Sequence, residues 1–140
     1  MKKILTLTLS IAMMAILFTS CSKEKKLANR LEGTWNIDKY DISFTPSGGG
    51  VATPLSFTNV GTFSFKDDKT GSYSIVILGS TDNGTYTWSN TATTVTMTEN
   101  GQTPITYTAT TNEKTKQVWT ANYIDKDGDQ NSETISLTKK

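Results

Sequence analysis

The segment DKDGDQNSETIS places Asp125, Asp127 and Asp129 at the first, third and fifth positions of an EF-hand calcium loop. Carboxylate oxygens at that spacing can surround a hard cation. However, Gln130 stands where the loop needs glycine, and Ser136 where it needs a bidentate glutamate. Strand-forming residues flank it instead of helices. The same residues make a solvated hairpin turn in which Asp and Gly supply the dihedral angles. A turn is expected there, and neither a metal nor a cofactor is expected. Asp67 and Asp68, in KDDKTG, form a second acidic pair. Neighbours on a turn point apart, whereas glycosidase carboxyls face each other across roughly 5–9.5 Å. No serine lies in a G-x-S-x-G elbow. The chain has no histidine, which removes histidine triads, proton shuttles and imidazole metal sites. No enzymatic activity is expected.

Cys21 is the single cysteine, and its position gives it a different chemistry. Met1-Lys2-Lys3 is a positive start, and Ile4 to Phe18 is an uncharged apolar run. It is shorter than the ~20 residues a membrane-spanning helix needs, so it reads as a secretory signal. Thr19 and Ser20 then precede Cys21. The arrangement resembles the lipobox of bacterial lipoproteins, with Phe18 at the usual leucine position and Leu17 one residue earlier. The resemblance implies that Cys21 is acylated and begins the mature chain. Acyl chains contribute about 0.8 kcal/mol per buried CH₂, so several of them anchor a protein that does not span the membrane. The alternative is a free or intermolecularly paired thiol. Ser22, where an inner-membrane lipoprotein carries aspartate, favours the outer membrane. Removal of residues 1–20 takes away Lys2 and Lys3, two of 14 basic residues, and leaves a near-neutral chain against 13 acidic ones. Nothing in that balance resembles a nucleic-acid footprint.

The remaining chemistry lies in the aromatics. Tyr73, Tyr86, Trp88, Tyr107, Trp119 and Tyr123 all fall on one phase of an alternating pattern. Phe63/Phe65, Val95/Met97 and Ile135/Leu137 continue it, with Ser, Thr, Asn or Lys between. Alternation of this kind gives strands with one dry and one wet face. Eight strands are read, near Thr34–Phe44, Gly61–Lys66, Gly71–Leu78, Gly84–Ser89, Thr93–Thr98, Ile105–Thr110, Val118–Ile124 and Thr134–Lys139. Short turns such as Asp82–Gly84 and Glu99–Gly101 join them. An antiparallel meander closed into a barrel would remove its exposed edges. Trp35 and Ile37 are odd while Tyr40, Ile42 and Phe44 are even, so a β-bulge is expected near Asp38–Lys39. The stretch TPSGGGVATPLSFTN is expected to be a long loop from Pro46 to Pro54 at or near the barrel mouth, with a short strand at Leu55–Thr58. Leu27 and Leu31, four apart with Gly33 beyond, fit a short helical turn before the first strand.

The segment LEGTWNI carries Gly33 and Trp35 as a G-x-W motif at the start of the first strand. It resembles the opening of lipocalins and of their avidin and fatty-acid-binding relatives. Together with the acylated start and the threonine-rich meander, it resembles the small lipocalin-like lipoproteins of Gram-negative bacteria. The resemblance implies that Trp35 is a structural plug at a closed barrel end. Two family features have no counterpart: TANY at Thr120–Tyr123 does not match the late T-D-Y motif, and no arginine stands on the last strand to pack over the tryptophan. The only arginine is Arg30.

The expected organisation is a signal peptide over 1–20, a tether and short helical turn over 21–30, and a monomeric eight-stranded all-β barrel over 31–140. An interior of this size is either filled by side chains or holds one small ligand. The expected function is a lipid-anchored, lipocalin-like, non-catalytic protein of the bacterial cell envelope. It would bind a small apolar ligand at Tyr86, Trp88, Met97, Tyr107 and Trp119. The alternative is a filled barrel that interacts with proteins or glycans through its surface and loops.

Overall fold

The computed structural model describes residues 23–140, so Cys21 and the segment before it lie outside the described residues. A short helix, α1, covers residues 23–31. Eight strands follow: β1 (Gly33–Thr45), β2 (Thr53–Phe65), β3 (Thr70–Ile77), β4 (Ser80–Asn90), β5 (Thr94–Glu99), β6 (Ile105–Asn112), β7 (Lys116–Ile124) and β8 (Gln130–Lys139). Each pairs antiparallel with its neighbour in sequence, and β8 returns to β1 to close the barrel. This is the eight-stranded up-and-down architecture of the lipocalin-like barrels. Closure gives every strand a paired neighbour on both sides over at least part of its length.

The phase change in β1 is a real bulge. Ile37 pairs with Leu137 and Lys39 with Ser136, so Asp38 is the extra residue. Its carboxylate accepts a hydrogen bond from the Thr138 hydroxyl at 2.9 Å. Beyond it Tyr40 faces inward, as Trp35 and Ile37 do before it. The paired strand breaks register at the same level, where Asn59 and Gly61 have φ of 53° and 146°. A Cβ on Gly61 would lie 1.9 Å from the Ser74 carbonyl oxygen, so only glycine lets β2 bend onto β3 there.

β2 is longer than its sequence implies. It is continuous from Thr53 and pairs with β1 as far as Phe44, so the connecting loop shrinks to residues 46–52. Pro54 is tolerated because the ladder to β3 covers only Gly61–Phe65. The first half of β2 is thus an edge, where a missing N–H leaves no gap in a ladder.

The helix seals one end. Leu27 and Leu31 are fully buried against the same core as Trp35, whose indole N–H donates to the Leu31 carbonyl at 2.7 Å. Arg30 donates to the Asn112 carbonyl, and Asn90 to the Glu24 carbonyl at 2.9 Å, tying the helix to the β6–β7 and β4–β5 corners. The role expected of a last-strand arginine is taken by Lys139. Register sets Lys139 opposite Trp35, and its ammonium lies 5.3 Å from the ring centroid. It also donates to the Arg30 and Glu32 carbonyls at 3.0 and 2.7 Å, groups left without helical partners at the end of α1. A lysine on β8 thus supplies both the cation over the ring and the cap on the helix.

Candidate functional site

Above the helix plug the barrel is filled by a layer of rings. Phe65 packs edge-on to Tyr86, Trp88 and Trp119, with centroids 5.5, 5.5 and 5.7 Å away. Each polar handle in this layer is satisfied locally. Tyr86 donates to the Ser64 carbonyl at 2.9 Å, and Trp88 to the Thr70 carbonyl at 3.1 Å. Trp119 reaches the fully buried Gln117 side chain at 3.4 Å, and Gln117 donates in turn to the Glu113 carbonyl at 2.7 Å. The Lys69 ammonium covers Trp88 3.7 Å from its centroid.

Beyond this layer, toward the end carrying the β1–β2, β3–β4, β5–β6 and β7–β8 connections, the interior is not filled. A cavity of about 400 Å³ lies there. Its apolar wall is formed by Ile37, Phe63, Ile75, Met97, Ile105 and Ile135. Gln102–Pro104, from the β5–β6 connection, and Ile124–Asp127, from the β7–β8 turn, form its rim. The 46–52 loop sits at the same end, where the Ser47 N–H donates to Asp129 at 2.9 Å, but it lines none of the cavity.

Of the residues expected to contact ligand, Met97 and Tyr107 line this space. Tyr86, Trp88 and Trp119 do not, and they are corrected to packing residues. All three share the inward phase, but phase alone does not report height along the barrel axis. Their positions relative to the closed end set them in the solid layer, already at most 3% exposed.

The cavity also holds polar groups outside the expected set of ligand contacts. Glu133 lines it and is only 4% exposed. Its carboxylate accepts from the Tyr107 hydroxyl at 2.9 Å and the Tyr123 hydroxyl at 2.5 Å. Burial, reinforced by the Glu133 charge, pushes the Tyr107 phenol far above its ordinary range, and burial with the Glu133 hydrogen bond does the same for Tyr123. Both therefore stay protonated and donate. Tyr40, on the bulged strand, is raised likewise by burial and then by Glu133. Nearer the rim the Tyr73 hydroxyl lies between Asp82 and Glu99, at 3.3 and 3.4 Å. Desolvation and those two carboxylates push it up to about 12. The signal for Glu133 was present in the sequence. It shares the phase of Ile135 and Leu137 but sits one residue outside the expected strand Thr134–Lys139, and its acidic type reads as surface.

The three aspartates of the last turn do not converge. The Asp125 carboxylate accepts the Asp127 and Asp129 N–H groups at 2.9 and 3.0 Å and the Asn131 amide at 3.1 Å. These bonds, the Asp129 N–H first, hold it below the usual carboxylate range. Asp129 instead holds the 46–52 loop. Among the described residues no three acidic, cysteine or histidine side chains group at metal-binding distance.

No family model and no curated protein matches the chain. Among solved structures, a deswapped triple mutant of bovine odorant-binding protein is 20% identical, with a TM-score of 0.48 over 79% of this chain and 74% of that one. A redesigned β-barrel is 18% identical, at 0.46 over 82% and 96%. Aphrodisin, a hamster sex pheromone, is 12% identical, at 0.47 over 79% and 75%. Likeness at this level says nothing of what this chain binds. The lipocalin-like description rests on the closed β1–β8 order itself.

Proposed function

We propose that this chain is a non-catalytic binding protein of a bacterial cell envelope, anchored by lipid at Cys21 and holding one small, mostly apolar molecule in its barrel. The observation that carries the reading is the cavity of about 400 Å³, walled by aliphatic and aromatic side chains at one end of the barrel only. Pockets of that size and lining suit a small organic ligand, with a few polar groups to orient it. The anchor is supported by the sole cysteine at the end of a signal-like segment. Lys23, the first described residue, already lies in the helix that seals the opposite end. Acyl chains on Cys21 would therefore hold the closed end toward the membrane and leave the mouth facing away, with Ser22 favouring the outer membrane.

Two experiments test the two halves. Labelled palmitate should enter the wild type and not Cys21→Ser; equal labelling of both would end the lipoprotein reading. Calorimetric titration with neutral apolar compounds should give saturable one-to-one binding, which a cavity-filling Met97→Trp abolishes. A second reading, contact with a protein or glycan through the mouth, has one observation in its favour. Val51, Leu78 and Ile124 are 90, 93 and 64% exposed, and all lie at the open end.

A further inference from the structure

The cavity is apolar in its walls and one-sided in its charge. Asp82, Glu99, Asp125, Asp127 and Glu133 line it, against Lys126 alone. Lys126 lies in the β7–β8 turn at the rim, flanked in sequence by two of those aspartates. Glu133 is the decisive group, because among the described residues it is the one charged side chain taken almost wholly out of water. Among the described residues the one ion pair joins Lys39 to Asp41 on the surface, so no cation meets Glu133 at salt-bridge distance. Tyr107 and Tyr123 donate to its carboxylate and Tyr40 lies close enough to be raised by it, but these neutral phenols cancel none of its charge. A buried carboxylate left without a counter-charge is strongly unfavourable, and neutral donors offset only part of that. A barrel that needed only a filled core would gain by an aliphatic residue there, in phase with Ile135 and Leu137.

We infer that the ligand of this cavity is a small organic cation, a protonated amine on an apolar body, with its ammonium seated against the Glu133 carboxylate. The inference rests on the binding reading above and narrows it. The ammonium supplies the missing counter-charge and up to three donors. The apolar body lies along Ile37, Phe63, Ile75 and Met97, and the Tyr40 and Tyr123 rings flank the charge from β1 and β7. The Tyr73, Asp82 and Glu99 group near the rim draws cations inward and repels anions. A fatty acid, the usual apolar probe for a barrel, would set its carboxylate among carboxylates.

The test is a matched trio titrated into the purified full chain: 2-phenylethylamine, 2-phenylethanol and phenylacetate. The amine should bind at least about tenfold more tightly than the alcohol, as a hydrogen bond to a charged group contributes that much. Phenylacetate should bind most weakly. Glu133→Gln should erase the amine's advantage and leave alcohol binding in place. The comparison within the wild type stands even if that variant folds poorly. Alcohol binding equal to or tighter than amine binding would overturn the cation and leave the apolar site intact. Failure of all three to bind would overturn both.

Discussion

Trp35 and Lys139 show how one residue can be legible while its partner is not. Gly33 and Trp35 stand out as a motif at the head of β1, whereas nothing in the type or place of Lys139 announces that it caps a helix and covers an indole. The contact exists only once β8 lies beside β1 in register. Removing the indole empties a fully buried site and leaves the Leu31 carbonyl and the Lys139 ammonium without it. Trp35→Ala should therefore cost ~3–5 kcal/mol in denaturant unfolding, a large part of a small domain's stability. Thr96→Ala, which loses only a cross-strand hydroxyl contact with Thr106, should cost below ~1 kcal/mol. Equal losses would mean that the inner and outer faces are misassigned. Glu133 was hidden for the opposite reason. Its type reads as surface, and only its phase places it inside.

At the scale of elements, alternation carried the strands, and the β1 bulge followed from a phase shift that any closed barrel must repair. The length of β2 was not legible, because a glycine-rich run and Pro54 read as loop. Their pairing is decided by β1, which offers partners as far as Phe44. The layering of the barrel was not legible either, so Tyr86, Trp88 and Trp119 were indistinguishable from Met97 and Tyr107 along the sequence. In the β7–β8 turn the Asp125 carboxylate is already committed to backbone N–H groups and Asn131. Calcium should then leave the melt unchanged against chelator. A cation at a hundred times its dissociation constant would add ~2.7 kcal/mol, so an upward shift abolished by Asp127→Ala would show a metal site.

For the molecule as a whole, all five tyrosines are displaced upward, Tyr73 to about 12 and Tyr40, Tyr86, Tyr107 and Tyr123 beyond. Burial leads in every case, and Tyr86 has no other cause. The folded state thus holds protons that the unfolded chain releases near pH 10, so this contribution is complete below pH 10 and is lost as pH rises beyond it. Tyrosinate absorbance should consequently appear together with unfolding, not as a separate step near pH 10 in the folded protein. Several phenols titrating at pH 10 with the barrel intact would place them in water and dissolve the cavity's polar floor. The central claim, that this barrel is a container, is tested most directly by native mass spectrometry of the chain purified from its own membranes. The wild type should carry a single small molecule that is released on unfolding, and Met97→Trp, folded to a similar melting point, should carry none. The bare mass in both, with no apolar compound able to add to the wild type, would contradict the account.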